Sequence, residues 1–175
     1  MIYNEDTKIT QNNNYGLNGR DWFHEIRDFN EIFEFVKHAV SKVFKMNRTG
    51  LNLILQVMPS NLGAYHIMGS NIIVANRYLL EHIKNSRSNE EYNCYVFTLL
   101  VHEYLHSLGI VNEYQVRMMT KKLCLDLFGK NHITTKFAIN PSSAFPDLQT
   151  LNKTIFEENF TQVKKFDDRN QYYIQ

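Results

Sequence analysis

Between Asp21 and Met46 the apolar residues Trp22, Ile26, Phe29, Phe33, Val36, Val40 and Val43 step by four and three. That spacing places them on one helical face, and it predicts an amphipathic helix packed on a sheet, with a break near Asn30. After the Asn47-Arg48-Thr49-Gly50 turn the pattern changes to alternation. Leu51, Leu53, Leu55 and Val57 oppose Asn52, Ile54, Gln56 and Met58, as a partly buried strand over Leu51 to Met58 requires. Pro59, Asn61 and Gly63 end it. Ala64 to Met68 and Asn71 to Ala75 read as short strands joined through Gly69-Ser70, a hairpin, and Asn76 caps a short helix through about Lys84.

Ser88-x-x-Glu91 has the form of a capping box, and the residues that follow it are apolar on every side: Tyr92, Cys94, Tyr95, Val96, Phe97, Leu99, Leu100, Val101, Tyr104, Leu105 and Leu108. A helix of that kind is buried, and Gly109 supplies its stop by accepting a left-handed conformation. Asn112, with Gln115 three residues on, caps a further helix that runs to about Phe128 and ends at Gly129. From Asn131 the chain contains Pro141 and Pro146, little periodicity and scattered charge, and it reads as an extension that wraps the domain or is partly mobile. Lys164, Lys165, Phe166, Tyr172 and Tyr173 read as its solvated end. The expected organisation is a polar segment over 1–20, an α+β domain over 21–130 with a small mixed or antiparallel sheet packed on helices, and an extension over 131–175.

Composition narrows the function classes. A net charge of +1 over 175 residues gives no electrostatic footprint for nucleic acid or for an anionic membrane surface. No apolar run reaches the roughly 18 residues of a membrane span, and the first twenty residues are polar and Asn-rich, so a soluble, cytoplasmic protein is expected. Cys94 and Cys124 both fall in apolar helical patterns that suit reduced, buried thiols, and the Asn-x-Thr triplets at Asn47, Asn152 and Asn159 have no secretory context.

The chemistry lies in His102-Glu103-Tyr104-Leu105-His106. Residues four apart share a helix face, so the two imidazoles project together as two ligands for one zinc ion, while Glu103, about 100° around the helix, can reach a water on the metal without becoming a ligand. Burying two imidazoles and a carboxylate unpaired in so apolar a helix would cost several kcal/mol, and a bound cation removes that cost. A third ligand must come from elsewhere. The short Gly109 to Asn112 connection brings the first turn of the next helix back beside His106, which favours Glu113. Asn112 is a poor zinc ligand, and His132 and Asp126 are carried away along a helix of about 16 residues, roughly 24 Å long. Glu113 also has a plain structural role open to it, as an acid in a first helical turn paired with Arg117 four residues on.

His102-Glu103-x-x-His106, with the order of elements before it, resembles the zincin superfamily of metallopeptidases over roughly Asp21 to Gly129. Gly109 is similar to the glycine of the metzincin signature, but Asn112 stands where that signature has its third histidine; an acidic third ligand is similar to the gluzincin branch. The resemblance implies one Zn2+, a peptide or protein substrate, and hydrolysis in which Glu103 acts as general base toward a zinc-bound water and then protonates the leaving amine. It also implies that substrate lies extended along an edge strand beside the active helix, for which Gly63 to Met68, with Ala64, Tyr65 and His66, and Asn71 to Ala75 are the candidates. Tyr114 or His132 could stabilise the oxyanion. The alternative functions are a non-catalytic zincin-like metal-binding or regulatory protein, against which Glu103 argues, and a nucleic-acid hydrolase, against which the charge argues.

Overall fold

The computed structural model describes residues 22–167, apart from the side chain of Ser143; the expected polar segment over 1–20, and Tyr172 and Tyr173, lie outside the described residues. The chain is α+β. In order the elements are α1 (Phe29–Phe44), β1 (Asn52–Gln56), β2 (Ala64–His66), β3 (Ile72–Asn76), α2 (Arg77–Ser86), α3 (Asn89–Ser107), α4 (Glu113–Phe128), α5 (Ile133–Ile139), α6 (Pro141–Ala144), a 3-10 turn (Pro146–Thr150) and β4 (Phe160–Gln162).

The first helix is shorter at its start than its apolar spacing predicts. Asp28 and Glu31 form a reciprocal capping box that starts α1 at Phe29, so the break falls two residues before Asn30 and residues 23–28 are not helical. Ile26, in phase with the apolar stripe, is consequently 82% exposed. Trp22 still packs against Phe23 and Phe35, with the Arg27 guanidinium over its ring. The other caps follow the sequence: Ser88 and Glu91 start α3, Asn112 accepts the Gln115 N–H at the start of α4, and Asn76 accepts the Tyr78 N–H at the start of α2.

The four strands form one mixed sheet in the order β2-β3-β1-β4. After β1 the chain crosses to the edge, lays down β2, and turns back through Gly69, at φ +76°, into β3. Strand β3 runs antiparallel to β2 and parallel to β1. The expectation that Asn71 to Ala75 might serve as an edge strand is therefore corrected, because β3 is covered on both sides. Asn76 fixes this arrangement. Its buried amide donates to the carbonyls of Met58, Pro59 and Leu62 and its Oδ1 accepts the Met58 N–H, so the loop that leads into β2 is tied to the end of β3.

The segment from Asn131 onward is built into the same core. Phe137 and Phe145 pack on Tyr95, and β4 completes the sheet by pairing antiparallel with β1. Phe166, expected at a solvated end, is instead buried and stacked on Phe33 with ring centroids 4.3 Å apart. Next to it the Asp167 carboxylate accepts Lys37 Nζ and the Leu51 backbone N–H. The Lys37 and Asp167 side chains are 7% and 0% exposed, an ion pair inside the protein. Cys94 and Cys124 are buried free thiols, as their helical patterns predict. No described helix is long and apolar enough to cross a membrane.

Helix α3 is at the centre, packed against α1, α2, α4, α5 and β2. From Asn93 to Ser107 all residues but the half-buried Leu99, His102 and His106 are buried, and the helix packs beside the edge strand β2.

Candidate metal centre

His102 and His106 stand one helical turn apart on α3, both partly buried, with Nε2 atoms 3.2 Å apart. The chain stops α3 at Ser107, reverses through Gly109 at φ +93°, and starts α4 at Glu113. The reversal brings the Glu113 carboxylate onto the two rings, Oε2 3.1 Å from His106 Nε2 and Oε1 3.3 Å from His102 Nε2. A zinc ion with bonds of about 2.0–2.1 Å holds tetrahedral ligand atoms roughly 3.3 Å apart. The contacts are close to that spacing, with one ligand atom from each side chain within 4.8 Å of the others, and among the described residues theirs is the one cluster of metal-binding side chains.

Hydrogen bonding makes the same point independently. His106 Nδ1 lies 2.8 Å from the Ile110 carbonyl, an acceptor only, so Nδ1 carries a proton and Nε2 is the nitrogen that faces Glu113 and His102. His106 thus offers an acceptor nitrogen to the cluster, beside a Glu113 carboxylate whose Oε1 also accepts the Arg117 Nε–H. Carbonyl orientation of the far ring nitrogen is the usual support of a ligating histidine, and here Ile110 provides it from the turn between the helices.

The electrostatics divide the acidic residues. Partial burial pushes the Glu113 carboxyl up, but the Arg117 guanidinium and the two histidines outweigh it and hold Glu113 below the usual carboxylate range. Burial lowers the pKa of His102, which favours the neutral ring that a metal needs. Glu103 is the opposite case. It is 5% exposed, and burial, with the charge of Glu113 added, raises its carboxyl from the ordinary 4.5 to about 8. The backbone N–H of His66 faces this carboxylate, while Oε2 has no hydrogen-bond partner among the described residues. Above its unfolded pKa an unfolded chain gives up this proton while the folded chain keeps it. Stability of the metal-free protein should thus fall as pH rises from about 4.5 to about 8. Urea titrations across that range test this: the Glu103→Gln variant should show a flatter pH dependence, and identical slopes would refute the assignment.

Strand β2 completes the site. Its ladder with β3 pairs Tyr65 with Val74, flanked by the bonds from Ile67 N to Ile72 O and from Asn76 N to Gly63 O. By alternation, Ala64 and His66 turn their backbone groups to the free edge. The His66 ring itself is drawn back to the Ser70 carbonyl at 3.2 Å. A cleft of about 800 Å³ opens beside the cluster, lined by Ala64 and Gly63 on one side and by Phe137, Ile139 and Leu148 on the other.

The remaining sequence candidates lie elsewhere. His132 caps α5 with its ring stacked on Phe128, Asp126 pairs with Lys122 on α4, Asn112 is spent on the cap of α4, and Tyr114 is exposed. Ile110 is the residue that sequence reasoning missed, because a backbone carbonyl leaves no mark in side-chain spacing. Glu113→Ala should weaken zinc affinity by about tenfold or more while His132→Ala leaves it unchanged, measured by competition with a chromophoric chelator; the reverse ranking would move the third ligand to His132. Comparison with protein-family models, curated proteins and solved structures finds no match to this chain.

Proposed function

We propose that this chain is a zinc-dependent peptidase of the zincin type, with His102, His106 and Glu113 as the metal ligands and Glu103 as the base. The observation that carries the reading is the convergence of the His102, His106 and Glu113 side chains, with ligand atoms within 4.8 Å of one another, next to a buried carboxyl and an edge strand. The two imidazoles and the carboxylate would hold the ion, and a bound zinc would supply a Lewis acid and lower the pKa of water toward neutrality.

The residues of the chain do the rest. Glu103, in the ionised form that the positive charge of a bound zinc would favour, takes the proton of the attacking water and then delivers it to the departing amine. The His66 backbone N–H orients that carboxyl. Ala64, its N–H and carbonyl turned outward, offers a peptide one rung of strand pairing, which aligns the scissile bond with Glu103. A purely structural zinc site would close with four protein ligands and have no use for a buried base at its side.

The test is one preparation measured two ways. Purified protein should carry about one equivalent of zinc and cleave peptides, lose cleavage on chelation, and regain it with added zinc. Cleavage indifferent to chelation, or a folded protein that binds no zinc, would sink the reading. One equivalent of zinc without cleavage of a broad peptide pool would favour a regulatory metal-binding protein.

A further inference from the structure

Along α4, Glu113, Arg117 and Thr120 follow each other by four and three residues and line the cleft as one stripe. Arg117 is the only lysine or arginine in the lining among the described residues, which also includes the apolar or aromatic Tyr95, Leu99, Phe137 and Leu148. Its Nε donates to Glu113 Oε1 at 2.8 Å. Among the described residues Nη1 and Nη2 make no hydrogen bond, and the side chain is 70% exposed. That bond engages Nε and leaves the two-nitrogen end of a cleft-lining residue free to take a ligand. At the far end of the stripe the Thr120 hydroxyl, buried and without a partner among the described residues, adds an unspent polar group. A fork of two parallel N–H donors matches a carboxylate.

We infer that Arg117 is the binding group for a carboxylate of the substrate, placed a short distance from the bond that is cut. The inference rests on the peptidase reading and names its substrate class. Adding the Nε to Glu113 bond, the width of the guanidinium and one further charge-assisted hydrogen bond puts the carboxylate within about 8 Å of the Glu113 carboxyl. At about 3.4 Å per extended residue that is one to three residues along a bound peptide. The carboxylate is then either the C-terminus of the peptide, which makes the enzyme remove short C-terminal pieces, or an acidic side chain near the cleaved bond. An ordinary exposed ion pair one turn apart on a helix would have no such preference to show.

Zinc-loaded Glu103→Gln protein binds peptide without turning it over, so affinity can be read directly by calorimetry. Three matched peptides serve as probes: one with a free C-terminal carboxylate, the same peptide amidated, and the amide with Glu in place of Gln near its end. The free acid or the Glu peptide should bind at least about tenfold more tightly than the carboxylate-free amide, and adding Arg117→Gln should abolish that preference without changing affinity for the amide. Whichever of the two peptides gains identifies the source of the carboxylate. If Arg117 only steadies Glu113, its loss weakens all three peptides alike and the inference is overturned. Equal affinities in the presence of Arg117, or a preference that survives its replacement, overturn it as well. Equal binding together with zinc-dependent cleavage by the unmutated enzyme leaves the peptidase reading standing, whereas no binding of any peptide removes both.

Discussion

Replacing Glu103 by Gln should lower peptide hydrolysis by at least about 100-fold and leave zinc bound. The amide keeps the shape of the carboxyl, and its oxygen can still accept the His66 N–H that faces it. The proposed ligands are His102, His106 and Glu113, none of which the substitution touches. Only the capacity to take and return a proton is lost. Folding should be unharmed, since the raised pKa of Glu103 keeps it largely protonated near neutral pH in the metal-free protein and Gln imitates that neutral form. Zinc content by atomic absorption and initial rates on one peptide suffice for the measurement. Loss of zinc from a folded variant would make Glu103 a ligand, and an unchanged rate would place the base elsewhere.

Asp167→Ala should cost about 3–5 kcal/mol of folding stability, the usual result of removing one partner from a buried ion pair. Lys37 is the reason. Its ammonium is enclosed on α1, where Glu34 at 2.7 Å supports it in addition to Asp167. Without Asp167 the Leu51 N–H also loses its acceptor at the entrance to β1. For a domain of this size the loss corresponds to a fall of roughly 10 °C or more in melting temperature. Replacing both partners, as Lys37→Met with Asp167→Leu, should recover a large part of it, because apolar groups of similar volume leave no charge stranded. A fall below about 1 kcal/mol in urea unfolding of Asp167→Ala would show that Glu34 and water carry Lys37 alone.

The parts of the structure that were legible in the sequence are those set by neighbours within one or two helical turns. Ser88 with Glu91, Asn112 with Gln115, and Gly109 are local signals, and each starts or stops a helix where its chemistry requires. The pairing of His102 with His106 is legible for the same reason, and Glu113 follows from the shortness of the turn. Where two local signals compete, the stronger is hard to pick: the apolar period runs straight through Ile26, yet the Asp28 and Glu31 capping box determines the helix start. What spacing cannot carry is partnership at long range. That β3 lies between β2 and β1, that Phe166 stacks on Phe33, and that the Ile110 carbonyl meets His106 are all consequences of tertiary closure.

The position of β4 bears on how the molecule is made. Phe160 pairs with Gln56, more than a hundred residues earlier in the chain. During synthesis the outer edge of β1 therefore stays open, and Lys37 lacks its main counter-charge, until residues 160–167 have left the ribosome. Long-range pairing of this kind forms slowly, and the waiting intermediate exposes a bare strand edge to other chains. The candidate metal cluster, by contrast, lies within twelve consecutive residues, His102 to Glu113. Under the proposed zinc reading, the nascent α3–α4 hairpin would grip the metal well before the sheet is sealed, and the metal would act during biosynthesis as an early organiser of the fold.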